Sequence, residues 1–330
     1  MDLLTHGLVG AALAQSGAPR EEARIAAGVG FLAGMLADAD ALITSASDPL
    51  LVLEYHRHFT HSLTFIPIGA LIAAGVLWPF MRRRLRFARL YLYALLGYAL
   101  AGALDACTSY GTHLLWPFSD ARQALSIIAV VDPLMTLAIG IPLAVGVVRL
   151  RPNAARLGLA LGIGYLALGF AQHERAESAA LMLARERGHE ARQLLVKPTI
   201  ANLVLWRSTY IEGARIYADG VHVASGVRTY KGESAALFDP ARDMPWAPPG
   251  STARVQIERF SALSDGYLAL HPRRPQMVGD ARYAMLPTSV EPLWGIAFES
   301  ERPDARAELV TDRTLTPEAR GRFVEMLLGR

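Results

Sequence analysis

"HRHFTHSLTFIPIGALIAAGVLWPFM", residues 56–81, joins three histidines and an arginine to nineteen uncharged residues. The uncharged part, 63–81, is long enough to cross a bilayer as one helix, so the histidines sit at a membrane edge. On its C-terminal side "RRRLRFAR" (82–89) brings five arginines, and a second apolar run follows from 90 to about 110, interrupted only by Asp105. A third run covers 123–148, interrupted only by Asp132, and a short fourth covers 157–171. On the N-terminal side, 3–19 and 25–43 are apolar, rich in Gly and Ala, and borderline in length. They read as short spans or as re-entrant helices packed inside the bundle. The expected fold is mainly α: a polytopic membrane bundle of four to six embedded helices over 1–171, followed by a soluble α+β domain over 172–330.

Charge marks the same division. Of 330 residues, 52% are hydrophobic and 19% charged; residues 1–171 hold 22 Asp, Glu, Lys and Arg, and 172–330 hold 41. The net charge of +3 comes with 31 arginines against 2 lysines, spread through short loops and the second half. No nucleic-acid stripe results from that distribution. Cys107 is the only cysteine, which excludes a disulfide framework or a thiolate zinc site within one chain. The start "MDLLTHGLVG" has no positive n-region, so no cleaved secretory signal is expected and the spans themselves do the targeting.

In the second half a charged helix is expected over 171–195, running on from the fourth span and ending before Lys197-Pro198. Residues 202–223 and 253–272 alternate in strand fashion, and 280–287 and 293–300 follow as shorter strands. A closing helix takes Thr316 as N-cap and Pro317 as its first residue. His173, His189, His222 and His271 are scattered there and read as surface or structural residues.

Arginine sets the orientation. Placing 82–89 and "RLRPNAAR" (149–156) in the cytoplasm puts 44–62, 110–122 and everything after 172 outside. His6, Asp38, Asp40, His56, His58, His61 and Asp105 then fall near one membrane face, with the depth of Asp132 set by where its helix starts. An intramembrane charge costs roughly 2.5–3.5 kcal/mol on insertion scales, so these carboxylates need partners. Imidazoles and carboxylates around a divalent cation would supply them, and without thiolate the set suits zinc, manganese or iron. On a helix His58 and His61 share a face while Asp38 and Asp40 diverge, so both aspartates converge only if the helix ends near Ala39.

"HRHFTHS" resembles the H-R-G-x-T-H-S signature of the YdjM-like bacterial membrane-bound metal-dependent hydrolases. "LADAD" (36–40) is similar to their L-P-D-x-D, 97–118 to their G-Y…D…T…G…L-L-W-P block, and "THG" (5–7) to their N-terminal histidine. The likeness spans about 1–140. It implies His6, Asp38, Asp40, His56, His61 and Asp105 as metal-site residues, in a multi-pass bacterial inner-membrane protein; the extracytoplasmic C-terminal domain rests on the arginine bias. This chain departs from the pattern at His58, where the family has glycine, and at Ala101, where some relatives carry histidine; His113 or His58 are candidates to compensate.

At such a site a divalent ion, zinc first and manganese or iron next, could polarise a phosphoryl or acyl oxygen. Asp38, Asp40 or Asp105 would accept the proton. Arg57 cannot ligate a cation; it would grip a phosphate or carboxylate, or else anchor to lipid headgroups. Thr60 and Ser62 fit capping or support roles better than nucleophilic ones. "GVGFLAG" (28–34) and "GLALGIG" (158–164) lack the preceding strand of a dinucleotide site and read as close-packing helix faces. Two function classes follow. One is a membrane hydrolase acting on a phosphoester or lipid headgroup; the other is a non-catalytic, metal-stabilised binding or transport protein.

Overall fold

The computed structural model describes residues 1–330, which divide into two compact units. The first comprises 1–43, 55–171 and 200–202; the second comprises 44–54, 172–199 and 203–330.

In the first unit Asp2 caps α1 (Leu3–Ser16), its carboxylate accepting the Thr5 N–H at 3.0 Å. α2 (Ala23–Leu36) tightens into a 3₁₀ stretch, Ala37–Leu42. After α3 (Leu51–Tyr55) and two 3₁₀ turns come α4 (Ile66–Met81), α5 (Phe87–Tyr98), the short α6 (Ala101–Ala106), α7 (Pro133–Arg149) and α8 (Pro152–Glu186). Small residues decide how they pack. A Cβ on Gly10 would stand 2.5 Å from the carbonyl oxygens of both Gly30 and Gly97, so α1, α2 and α5 touch backbone to backbone. The glycines of "GVGFLAG" serve this contact through Gly30 and Gly34.

Four helical stretches are long and apolar enough to cross a membrane: Arg20–Leu42, Leu63–Met81, Phe87–Ala106 and Pro152–Glu186. α7 is apolar but shorter. The apolar run 123–148 is not one helix, because Asp132 caps α7 and Pro133 opens it, while Thr112 and Gln123 form a β-bridge upstream. The run 90–110 breaks between α5 and α6. The fourth span and the charged helix are one helix, α8, which ends at Glu186 rather than 195; Gly188, at φ 77°, takes the left-handed conformation beyond it.

The second unit holds two antiparallel sheets. β1 (Gln193–Pro198), β2 (Leu205–Glu212), β3 (Arg215–Val223) and β4 (Val227–Tyr230) pair in that order, with β5 (Ser234–Ala236) also on β3. After α9 (Pro240–Asp243) and α10 (Thr252–Leu263), the second sheet runs β6 (Leu268–His271), β7 (Arg274–Asp280), β8 (Trp294–Phe298), β9 (Ala307–Thr311). α11 (Pro317–Leu327) closes the chain with Thr316 as its cap. The strand expectation for 253–272 holds only at its end. Residues 252–263 are helical, and the buried Ala253, Ile257 and Phe260 recur at spacings of four and three, a helical period. Residues 281–287 carry no strand.

Residues 44–54, which the sequence attaches to the membrane helices, contribute to this second unit. Leu50 is fully buried in a cluster with Phe238, Phe260, Val278 and Phe298. Arg259 on α10 grips Asp48 and Glu54, with four contacts between 2.7 and 3.1 Å.

Candidate metal centre

α1 presents His6 within its first turns, and the 3₁₀ stretch after α2 presents Asp38 and Asp40. The tighter winding matters. Residues two apart diverge by about 160° on an α-helix but by about 120° on a 3₁₀ turn, which lets both aspartates serve one region. "HRHFTHS" supplies the other side as a turn, not a helix. Arg57 takes a left-handed backbone (φ 62°), and Phe59–His61 form a single 3₁₀ turn. That strained residue is held because its N–H donates to Asp40 Oδ2 at 2.9 Å and its carbonyl accepts from His113 N–H at 3.1 Å. The segment after α6 is stitched to the same turn: Leu63 N–H donates to Leu114 O, and Thr64 Oγ1 donates to Trp116 O. On α6 itself a Cβ at Gly102 would lie 1.9 Å from the His61 carbonyl, so only glycine admits this approach.

The two buried histidines are oriented alike. His6 Nδ1 lies 2.7 Å from Asp38 Oδ2, and His61 Nδ1 lies 3.1 Å from Asp40 Oδ2. A carboxylate only accepts, so each Nδ1 carries the proton and each Nε2 keeps its lone pair. Both Nε2 atoms lie 3.3 Å from Asp105, one from each carboxylate oxygen, and both are buried without a hydrogen-bond partner. Buried polar atoms are rarely left so. Ligand atoms of His6, Asp38 and His61 lie within 4.8 Å of one another. Two inward lone pairs beside carboxylates fit a divalent cation, and they match the arrangement in which a carboxylate behind each imidazole orients it toward the ion.

Asp40 is engaged by donors on both of its oxygens. It accepts from His56 Nδ1 at 2.9 Å, Thr60 Oγ1 at 2.6 Å and Arg57 N–H, besides its contact with His61. Tyr98 braces the turn by donating to the Thr60 carbonyl at 2.7 Å. Arg57, expected to hold an external anion, is turned inward: Nε lies 2.9 Å from Asp105 Oδ2, Nη1 donates to Thr108 Oγ1 at 2.8 Å, and the side chain is buried. The amino group of Met1 also meets Asp105. His56 and Asp38 are the partly exposed members, with side chains 29% and 13% accessible.

The structure does not bring Asp132 into this set. Its carboxylate caps α7 through Leu134 and Met135 N–H and accepts the Tyr165 hydroxyl at 2.9 Å, because its helix starts only at the next residue. His58 and His113 stand beside each other, ring centroids 4.5 Å apart, outside the ligand group. Ala101 is simply buried in the helix core, and Cys107 donates its thiol to the Ala103 carbonyl.

Two other clusters carry metal-type side chains, but neither brings two buried imidazole lone pairs together. His173 Nε2 donates to the Val196 carbonyl at 3.1 Å. His271 Nδ1 accepts the Arg273 N–H at 3.3 Å, so its Nε2 holds the proton toward Glu291 and Asp312, which Arg273 and Arg274 already pair. Sequence reasoning named the ligand-type residues of the main centre and gave Thr60 a support role, which its bond to Asp40 matches, but missed Tyr98, Thr108 and Gly102. Only the small residue at 102, three before a motif aspartate, gave any local sign.

A family profile described as "YdjM inner membrane protein" matches residues 1–176. The chain is also similar to "Uncharacterized protein YfhP" of Bacillus subtilis (strain 168), 30% identical over 105 residues, which is 32% of each chain. The match thus spans about a third of that relative's length. No solved structure matches.

Proposed function

The chain belongs to the YdjM inner membrane protein family, and from that premise we propose that it is a metal-dependent hydrolase working at the outer face of the bacterial inner membrane, on a phosphoester or lipid headgroup. The observation that carries this reading is the pair of buried, unpartnered Nε2 atoms of His6 and His61 aimed at Asp105. His6, His61, Asp105 and Asp38 would hold the ion, with zinc favoured by the histidine share and manganese or iron the alternatives. A divalent ion bound there supplies a Lewis acid that polarises a phosphoryl oxygen and acidifies water. Asp38, ligand-side and partly exposed, takes the proton, since Asp40 is saturated by donors. Arg57 is a positioning residue that fixes Asp105. Substrate enters past His56, the most exposed member of the set.

The burial of His6, His61 and Asp105 favours a second reading, a metal-stabilised binding or transport protein without catalysis. Metal analysis of detergent-purified protein, then a phosphoester and lipid screen with and without chelator, separates them. Chelator-sensitive hydrolysis, lost in His61→Ala, supports the enzyme. Bound metal with no turnover on any substrate supports the second reading, and equal metal content in wild type and a His6→Ala/His61→Ala variant removes the centre altogether.

A further inference from the structure

The opposite end of the first unit collects arginines, and their bonding separates them into two kinds. Arg156 on α8 donates from Nε and Nη2 to the Ser16 carbonyl at 3.1 and 3.0 Å. Arg24 on α2 donates to the carbonyls of Val147 and Val148 at 3.0 and 3.1 Å. These two cover the last carbonyls of α1 and α7, which have no partner inside their own helices. Arg20 and Arg151 have no such task. Both are exposed, neither has an ion pair, and they line a cleft of about 500 Å³ with Arg156, Asn153 and Ala18.

No acidic residue lines that cleft. Nearby Glu22 is spent elsewhere, on Tyr93 and Arg89. Three arginines thus line one cleft with the first turn of a 35-residue helix, whose N-terminal end adds partial positive charge. Such crowding of like charge is relieved by an anion, and planar guanidinium forks match phosphate oxygens in particular. The cleft lies where two membrane-crossing stretches begin, at Arg20 and Pro152. Val148 and Leu157, each within three residues of a lining residue in sequence, are exposed apolar side chains, available to acyl chains.

We propose that Arg20 and Arg151, with the charge of Arg156 beside them, form a binding site for the phosphodiester group of an anionic phospholipid. Basic pockets between membrane helices take such headgroups by charge and by hydrogen-bond geometry together. The site lies at the other end of α1 and α2 from the metal centre and stands whether or not that centre is catalytic.

The test uses the full-length protein in mixed micelles of phosphatidylglycerol and phosphatidylcholine, with retained lipid counted by native mass spectrometry. Wild type should retain phosphatidylglycerol preferentially, and Arg20→Gln/Arg151→Gln should lower that preference roughly ten-fold or more, on the scale of about 1 kcal/mol per basic residue near a charged surface. Arg156 is left intact because it braces α1. Arg83→Gln/Arg84→Gln, removing two charges from another arginine turn, should change little. An unchanged preference in the first variant, or an equal loss in the second, overturns the proposal. Inorganic phosphate is the second arm: displacement of phosphatidylglycerol by millimolar phosphate supports recognition of the phosphate group itself. Phosphate binding without any lipid preference overturns the lipid assignment. Should the glutamine pair fail to fold, Arg20→Lys/Arg151→Lys retains charge and should keep part of the preference.

Discussion

Asp40 shows how a residue can shape a candidate metal site through the hydrogen bonds it accepts. Its carboxylate gathers His56, Thr60, His61 and the Arg57 amide, so it sets the direction of His61 Nε2. Asp40→Asn keeps the shape but offers one acceptor oxygen, and metal affinity should fall about 10–100-fold, the usual loss for an orienting partner. Titration of metal-stripped protein measures this, and wild-type affinity in the variant would contradict the orienting role. Lys197 supports a separate expectation. It lies over the Tyr283 ring in the core, and burial drives its amine well below the ordinary lysine range. Between that lowered value and about 10.5 the unfolded chain binds the proton more readily, so this lysine costs stability near neutrality and less as pH rises. Lys197→Met should therefore raise the thermal midpoint of the second unit at pH 7, by the equivalent of about 1–4 kcal/mol, with the gain shrinking toward pH 10. The ligand-type residues of the main centre were legible from sequence because spans and loop charge place them at one face. The inward turn of Arg57 was not, since it depends on a left-handed backbone held by Asp40, seventeen residues away.

At the scale of elements, the centre depends on how closely α1 and α2 approach. A Cβ at Gly30 would come within 2.4 Å of the Gly10 carbonyl and 2.6 Å of Ala14 Cβ, whereas one at Gly28 meets nothing within 4 Å. Gly30→Ala should lower both the thermal midpoint and the metal content, because α1 carries His6 and is pushed from the helix that leads to Asp38. Gly28→Ala should be neutral or stabilise by up to about 1 kcal/mol, through helix propensity alone. Parallel melts and metal analyses of the two variants check this, and identical behaviour would refute it. Helices with uncharged runs were readable because a bilayer demands length and apolarity. α10 was misread as a strand because its buried positions, Ala253, Ile257 and Phe260, sit among charged residues that imitate alternation. Asp132 was misassigned for a related reason: its proline neighbour starts a helix, which turns an apparent buried ligand into a cap.

For the whole molecule, arginine asymmetry predicts that the 82–89 turn is cytoplasmic and the C-terminus lies outside. Alkaline phosphatase fused at residue 86 should be inactive and at residue 330 active; the reverse would move the metal centre to the cytoplasmic face. The grouping of 44–54 with the second unit has a consequence for synthesis. Leu50 leaves the ribosome long before Phe238, Phe260, Val278 and Phe298, the neighbours that will bury it. Asp48 and Glu54 wait equally for Arg259. Until translation passes the last of these, the loop between the two halves of the metal-site sequence remains an unfinished piece of a later domain. Membrane insertion must hold it open, on the correct side, for most of the time the chain is being made.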